Sequence, residues 1–159
     1  MGTYRAPVED MNFLIDEVLD AENALGTLPD FADYGVGSEL TTALLDEAAK
    51  LAGDELAPLR RVGDEQPAVC TDGAVTAPPG YDAALRQLAE GGWIGISSDP
   101  RYGGQGLPEI YNTVGHEMWN GANMALGLAP MLSSGAALAI HAHGTEAQKQ
   151  TYLEKMNPG

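Results

Sequence analysis

Residues 91–108 read GGWIGISSDPRYGGQGLP and lie between two helical patterns. The stretch holds six glycines and two prolines, which inside a helix cost roughly 1 kcal/mol per Gly and about 3 kcal/mol per Pro. It is therefore an irregular connection. Its apolar residues are too many for a solvated linker: Trp93, Ile94, Ile96, Tyr102 and Leu107. We expect an ordered loop pinned to the core, whose glycines allow positive φ angles and whose Pro108 suits the first turn of the next helix.

The composition is that of one globular domain. The chain has 159 residues, 44% of them hydrophobic, and 23 acidic against 8 basic residues give a net charge of −15. Nucleic acids and anionic membranes reward Lys and Arg, so both are excluded as partners. Cys70 is the single cysteine, which rules out an internal disulfide and fits a reducing compartment. No stretch resembles a secretory leader or reaches the ~18 apolar residues of a membrane span, so we expect a cytoplasmic protein.

Helical spacing of apolar residues dominates the first half of the chain. Asp10 is a candidate cap for a short helix with an apolar side formed by Met11, Phe13, Leu14, Val18 and Leu19. A loop is expected from Gly26 to Gly37. Ser38 is the next candidate cap, and an amphipathic helix follows it as far as Pro58.

The pattern continues as helices separated by glycines and prolines. Residues 60–79 are irregular, with at most a weak hairpin around Asp72-Gly73. Helices are expected over 81–90 and from Pro108 to about residue 121. Together these segments predict an all-α fold, a helical bundle with long Gly- and Pro-rich connections.

The last third contains the most apolar segment. Residues 122–142 are apolar on all sides, which predicts a buried helix, and Gly127 with Pro130 predicts a break or kink within it. Gly144 is expected to end this helix. Thr145 is expected to cap a short exposed helix after it. The chain stops soon afterwards, so the surface that covers the apolar helix is expected to lie outside this sequence.

No set of residues has the spacing of a catalytic or metal site. His116-Glu117 lacks the second histidine of the zinc motif, and we interpret the pair as a helix surface. His141 and His143 suit a helix C-terminus. The glycines of the central loop fit neither the dinucleotide nor the phosphate-binding motif. Cys70 has no nearby cation in sequence to lower its pKa, so we expect it to be inert.

The order of the motifs carries more information than any one of them. The segments are Gly91-Gly92-Trp93-Ile94-Gly95, then Pro100-x-Tyr102-Gly103-Gly104-Gln105-Gly106-Leu107-Pro108, then Glu117, then Gly144-Thr145-Glu146-x-Gln148-Lys149-x-x-Tyr152-Leu153. In this order they resemble the N-terminal helical domain of the acyl-CoA dehydrogenases over roughly residues 38–157. Upstream, Tyr4-x-Ala6-Pro7-x-x-Asp10-Met11-x-Phe13 and Glu55-Leu56-Ala57-Pro58 resemble the N-terminal extension and first helix of the longer-chain branch, which includes 3-methylmercaptopropionyl-CoA dehydrogenase-like enzymes.

The resemblance implies an oxidoreductase of fatty acid metabolism. Family members add a β-domain and a C-terminal bundle, hold FAD mainly between those two parts, and remove the α-hydrogen of an acyl-CoA with a glutamate that in most members lies in the bundle. We therefore divide the chain into an extension, 1–37, and the N-terminal helical domain, 38–159. We expect it to be inactive alone and not to bind FAD, while the parent uses acyl-CoA and an electron-transfer acceptor.

The resemblance also implies a part for this domain in the acyl pocket. Alignment on Gly144, Lys149 and Tyr152 places the family's pocket positions on one helix face: Gly127, Leu128, Met131, Leu132 and Gly135. The alternative for these residues is ordinary packing against a neighbouring helix. The alternative for the whole chain is a stand-alone acidic helical interaction module, which uses the apolar surface of 122–142 to bind a partner helix or to form a homo-oligomer. A non-catalytic relative acting in DNA-damage response is a third hypothesis, and the acidity argues against it.

Overall fold

The computed structural model describes residues 4–31 and 37–159. The all-α prediction is confirmed, because the described ranges hold helices and two short strands. In chain order the elements are α1 Val8–Phe13, α2 Ala21–Gly26, α3 Ser38–Lys50, α4 Ala57–Glu65, β1 Val69–Thr71, β2 Ala74–Thr76, α5 Tyr81–Glu90, α6 Glu109–His143 and α7 Glu146–Met156. Helix α1 continues as a π-helical turn over Leu14–Val18, a second π-helical segment, Leu51–Leu56, joins α3 to α4, and Pro100–Tyr102 forms one 3-10 turn.

The core forms where the beginning of α6 crosses the helices before it. Helix α6 packs against α3, α4 and the π-helical segment between them, and α1 packs on α3. Buried apolar side chains of α1, α2, α3, α5, α6 and the two π-helical segments form one contiguous cluster, against which Ala57 and Leu59 of α4 pack as partly buried residues: Met11, Ile15, Ala21, Leu45, Ala48, Ala52, Leu56, Tyr81, Ala84, Leu88, Met118, Trp119, Ala122 and Leu126. A second, smaller cluster of Tyr102, Ala137 and Leu153 fastens α7 to the end of α6.

The predicted hairpin is present between α4 and α5. Strand β1 pairs antiparallel with β2, with Val69 opposite Thr76. Asp72 and Gly73 both have positive φ, 51° and 81°, which is the backbone of the two-residue turn that matches the twist of paired strands. Both strands are exposed, and the free Cys70 is exposed with them.

The first helix differs from the prediction in its start and in its buried face. It begins at Val8, so Asp10 lies in its first turn and is not its cap. Met11 and Ile15 are buried, whereas Phe13 and Leu14 are exposed. Met11 and Ile15 are four positions apart and so share one helix face. The π-helical turn begins at Leu14 and shifts only the residues after it, among them the exposed Val18 and Leu19.

The second long helix also departs from the prediction at both ends. Gly37, not Ser38, is its N-cap, and no side chain caps it. The helix does not end near Pro58 but continues to Glu65. Pro58 lies in the first turn of α4 directly after the π-helical segment. A regular helix would bring the proline ring against the carbonyl four residues earlier, and the wider turn removes that conflict. Of the predicted loop from Gly26, residues 32–36 lie outside the described residues.

Helix α6 breaks at Asn123, close to the predicted end of the helix that begins at Pro108, and the further kink predicted near Gly127 and Pro130 is not found. Asn123 has φ −157° and ψ 88°, an extended backbone that separates a first half, residues 109–122, from a second half, residues 124–143. The Asn123 side-chain oxygen accepts a hydrogen bond from the backbone N–H of Leu126 at 3.3 Å. Asn123 therefore ends one helix and caps the next, while Pro130 remains inside the second.

The second half of α6 is not the buried helix that its composition predicts. Its residues Leu132 and Leu138 are 69% and 70% exposed, because only one stripe of this half, including Pro130 and Ala137, packs on the rest of the chain. By length and composition alone α6 could cross a membrane, contrary to the expectation of no such stretch. Its first half is buried in the core, and the non-helical Asn123 interrupts it.

The glycine-rich loop is ordered and folded back on itself, as predicted. Its backbone N–H groups at Gln105, Gly106 and Leu107 donate to carbonyls of residues 95, 98 and 96, each at 2.9 Å. Gly92, Gly103 and Gly106 have φ of 73°, 84° and 70°, where only glycine is unstrained. Pro108 is buried and is the N-cap of α6. The ring of Trp93 meets that of Trp119 edge to face, with centroids 5.6 Å apart.

The predicted cap of the last helix is confirmed in detail. The Thr145 hydroxyl accepts from the Gln148 backbone N–H at 3.3 Å, and the Gln148 side chain accepts from the Thr145 backbone N–H at 2.8 Å. This reciprocal pair is a capping box. It fixes α7 directly after Gly144, which ends α6 as predicted.

Candidate functional site

A groove of about 410 Å³ lies where the glycine-rich loop, both halves of α6 and the end of α7 meet. Both halves of α6 contribute lining residues. Apolar and polar side chains both line it: Ile94, Ser97, Ser98, Asp99, Glu109, Asn112, His116, Met131, Ser134, Gly135, Ala137, Leu138, His141, Leu153 and Asn157.

The structure brings together two of the five predicted pocket residues. Met131 and Gly135 line the groove. Leu128 and Leu132 are exposed outside it. Gly127 is buried against the first half of α6, where an added Cβ would lie 2.8 Å from the Asn120 side-chain oxygen. The five residues are therefore not sealed inside a closed bundle, and their role in binding an acyl group stays a prediction.

An ionic contact joins two residues that line the groove, Asp99 and His141. The Asp99 carboxylate lies 3.0 Å from Nε2 of His141 and 2.7 Å from the Arg101 guanidinium, and it accepts from the backbone N–H of Arg101 at 2.9 Å. Hydrogen bonds from Arg101, helped by His141, hold the pKa of Asp99 far below its ordinary value, although burial opposes them. This ionised carboxylate fastens the loop to the second half of α6.

Tyr102 and Asn157 fasten the same loop to α7. The Tyr102 hydroxyl donates to the Glu146 carboxylate at 3.1 Å, and the Asn157 side-chain N–H donates to the Tyr102 carbonyl at 3.2 Å. Lys149 pairs with Glu146 at 3.2 Å, and Lys149 followed by Tyr102 lowers the pKa of Glu146. Motif residues Tyr102, Glu146 and Lys149, with Asn157, therefore form a connected set that joins the loop to α7 beside the groove.

His116 is a groove residue and not the helix-surface residue of our sequence interpretation. Glu117 is exposed, but the His116 imidazole is half-buried and lines the groove. Its Nδ1 atom is buried and has no hydrogen-bond partner among the described residues. Burial lowers the pKa of His116 below its usual value, and the charge of Glu109 opposes this only in part.

The spacing of polar residues at the start of α6 already indicates that His116 belongs to a polar helix face. Glu109, Asn112 and His116 recur at i, i+3 and i+7, which places three polar side chains on one helix face. By contrast, nothing in the sequence connects that face with Asn157, which the loop brings to the groove from the end of α7.

The site offers hydrogen bonding and shape, without the groups of a complete reaction centre. In residues 4–31 and 37–159 no three His, Cys, Asp or Glu side chains come together as metal ligands. Both histidines of the groove lie beside apolar side chains such as Met131 and Leu138. Such a concave, mixed surface can hold a largely apolar ligand and orient its polar atoms.

Comparison with known proteins places the chain in one family. A model of the family described as "Acyl-CoA dehydrogenase, N-terminal domain" matches residues 38–159. The 3-methylmercaptopropionyl-CoA dehydrogenase of Ruegeria pomeroyi is 34% identical over 157 residues, which are 99% of this chain and 26% of that protein. The broad-specificity linear acyl-CoA dehydrogenase FadE5 of Mycobacterium tuberculosis is 31% identical over 154 residues, which are 94% of this chain and 24% of that protein.

These matches agree with the helical fold and with the ordered loop. The chain spans about a quarter of the length of these curated relatives, and the family match lies on the part that forms α3 to α7. The chain therefore belongs to the acyl-CoA dehydrogenase family and carries its N-terminal domain.

Proposed function

We propose that this chain is the N-terminal part of an FAD-dependent acyl-CoA dehydrogenase, an oxidoreductase that introduces a double bond between the α and β carbons of an acyl-CoA thioester. Two relatives whose names state acyl-CoA dehydrogenase activity match nearly the whole chain. In this proposal residues 1–37 are an extension and residues 38–159 the helical domain. The parent acts in fatty acid metabolism in the cytoplasm and passes electrons to a transfer protein.

The groove beside the second half of α6 is the observation that carries the proposed role in substrate binding. Met131 and Gly135 were assigned to the acyl pocket from the sequence motifs, and both line this groove. An added Cβ at Gly135 would have no atom within 4 Å, so there is room for a chain beside it. Met131 supplies a flexible apolar side chain of the kind that adapts to different ligands.

The groove does not fit the flavin dinucleotide. Its lining residues include the carboxylates of Asp99 and Glu109 and no lysine or arginine, so a pyrophosphate would face like charge without a paired cation. This groove is therefore not the FAD site in our proposal, in which the chain alone neither binds flavin nor catalyses the reaction.

The first experiment compares the 159-residue chain with a longer protein that includes the domains found in the relatives. The longer protein is expected to purify with a flavin spectrum and to reduce an artificial electron acceptor when acyl-CoA is added. The chain alone is expected to be colourless and inactive. A flavin-free longer protein that is inert with acyl-CoAs of every tested length would refute the proposal.

The second experiment tests the groove by filling it. Gly135→Leu in the longer protein is expected to lower kcat/KM for long acyl-CoAs by about tenfold or more, the effect of misplaced apolar bulk in a fitted pocket. Ala136→Leu is the matched control, because Ala136 is the next residue of the same helix, is exposed, and does not line the groove. Equal effects of both substitutions would remove Gly135 from the acyl pocket.

The exposed apolar face of α6 favours one second candidate. Met124, Leu128 and Leu132 are exposed on the second half of α6, so the chain alone could bind a partner helix or form a homo-oligomer through this face. Light scattering of the chain with and without Leu132→Glu distinguishes the two functions: an oligomer dispersed by the substitution, together with an inactive longer protein, supports the interaction module.

A further inference from the structure

Helix α1 and the π-helical turn after it carry a continuous apolar surface, which we name the extension patch. Four large side chains, each 51–58% exposed, form it: Phe13, Leu14, Val18 and Leu19. The Leu19 backbone N–H donates to the Leu14 carbonyl at 2.9 Å, which is the i→i+5 bond of a π-helix. Residues four and five positions apart then lie on one side of the turn, so Val18 follows both Phe13 and Leu14. Contiguous apolar surfaces of this kind mark interaction sites, whereas single exposed apolar residues do not.

Unpaired carboxylates surround the extension patch. Glu9 and Asp10 lie one helical turn before it, and Glu17 lies within the π-helical turn. All three are exposed, and none belongs to an ion pair in the part of the chain that the structure describes. Across residues 4–31 the sequence has seven acidic residues and one basic residue. The patch is therefore apolar at its centre and negatively charged around it.

This charge pattern decides which kind of surface can cover the patch. A second copy of the chain would bring the same carboxylates face to face, and like charges across an interface oppose association. An anionic membrane is repelled for the same reason. A protein segment that carries apolar side chains flanked by Lys or Arg is complementary to the patch in both hydrophobicity and charge.

The comparison with relatives indicates where such a segment lies. The match to the Ruegeria pomeroyi protein covers 99% of this chain and only 26% of that protein. The matched region therefore includes the extension patch, and it belongs to a protein about four times as long. Most of the surface available to cover the patch lies outside these 159 residues.

We propose that the extension patch docks a basic segment of the longer parent protein that lies outside these 159 residues. Apolar side chains of that segment pack on Phe13 and Leu14, and its Lys or Arg side chains pair with Glu9 and Glu17. The inference rests on the proposed function in that it requires a longer parent. It gives the extension a role, which is to fasten the helical domain to the rest of the protein.

The test measures how fast a thiol in the patch reacts with a water-soluble maleimide. Leu14→Cys and, separately, Val18→Cys are made in the 159-residue chain and in the longer protein, both with Cys70→Ser to remove the exposed native thiol. The ratio of the two labelling rates, chain over longer protein, is the protection, and it is expected to be about tenfold or more. A protection near one at both positions overturns the inference. Labelling of the chain alone that slows as its concentration rises identifies a second copy as the occupant and also overturns it.

Charge reversal tests the chemistry of the occupant. Glu9→Lys and, separately, Glu17→Lys are expected to lower the protection about two- to fivefold, the effect of an exposed charge pair. The ratio cancels any direct effect of a new lysine on thiol reactivity, because that effect occurs in both proteins. Glu154→Lys is the matched control, since Glu154 is exposed on α7. Protection that survives both reversals, or that falls equally with Glu154→Lys, contradicts a basic occupant.

The labelling result is independent of the proposed catalytic function. Flavin content and acyl-CoA oxidation are measured on the same longer protein. An active, flavin-loaded protein without protection overturns the docking inference and leaves the proposed function standing. An inert, flavin-free protein whose patch is protected refutes the proposed function and leaves the docking inference standing.

Discussion

Replacing Asn123 by alanine tests how α6 is broken. The Asn123 side chain is 1% exposed and makes three hydrogen bonds. Its oxygen accepts from the Leu126 backbone N–H and from the Tyr81 hydroxyl, both at 3.3 Å, and its amide donates to the Leu56 carbonyl at 3.2 Å. Asn123→Ala removes all three together, and with them the cap of the second half of α6.

The expected loss follows from these three contacts. At a net value of about 0.5–1.5 kcal/mol per hydrogen bond the total lies near 1.5–4.5 kcal/mol. The distances are at the long end of the normal range, so we expect about 2–3 kcal/mol, a value consistent with loss of one helix cap plus one buried contact. For a chain of this length the midpoint of thermal unfolding then falls by roughly 4–12 °C.

The assay is urea unfolding of the 159-residue chain, followed by circular dichroism at 222 nm. Asn120→Ala is the control, since Asn120 lies one turn earlier and its buried oxygen has no partner to lose. Its unfolding free energy is expected to stay within about 0.5 kcal/mol of the unsubstituted chain. The reasoning is refuted if Asn123→Ala is as stable as the original, or if Asn120→Ala loses as much.

Three further predictions concern the loop and the groove. Gly104→Ala is expected to lower the unfolding free energy by about 1–3 kcal/mol, because its new Cβ would overlap the backbone carbonyl of Ser98; an unchanged urea midpoint would contradict this. The folded-state pKa of His116 is lowered, so protonation of this residue destabilises the folded chain as pH falls below about 6.5, the unfolded value. Urea unfolding at pH 8, 7, 6 and 5 should therefore show a smaller loss of unfolding free energy for His116→Gln than for the original chain. The pKa of Asp99 is also lowered, so its stabilising contribution is complete above about 3.9, the unfolded value, and declines as pH falls from there toward the much lower folded-state pKa. Asp99→Asn should therefore be less stable than the original chain at pH 7, with the difference shrinking at pH 2.

Local sequence patterns were sufficient to predict the position of several secondary-structure elements. The helix Tyr81–Glu90 and the hairpin at Asp72-Gly73 have the predicted positions, and Thr145 caps α7 as expected. In each case the deciding interactions lie within a few residues of one another. The ordered glycine-rich loop was also predictable, because its apolar residues required burial and its glycines permitted the turns.

Features that depend on distant residues were not predictable in this way. The break at Asn123 rests on contacts with Tyr81 and Leu56, which are 42 and 67 positions away, while the nearby Pro130 disturbs the helix less than its chemistry suggests. For the candidate site, the motif alignment identified Met131 and Gly135, which line the groove. His116 was missed although its spacing with Glu109 and Asn112 marked a polar helix face, and Asn157 was missed because only the folded loop brings the end of α7 to that surface.

The two halves of α6 are held in different ways, and their arrangement shapes the groove. Met118, Trp119 and Ala122 fix the first half by burial in the core, where close packing resists displacement. The second half buries only one stripe, which includes Pro130 and Ala137, and it exposes large apolar side chains. Polar contacts at its two ends add to this packing: Asn123 at the start and the Asp99–His141 pair near the finish. Because hydrogen bonds are directional, we expect these end contacts to fix the direction of the second half relative to the first, and with it the width of the groove.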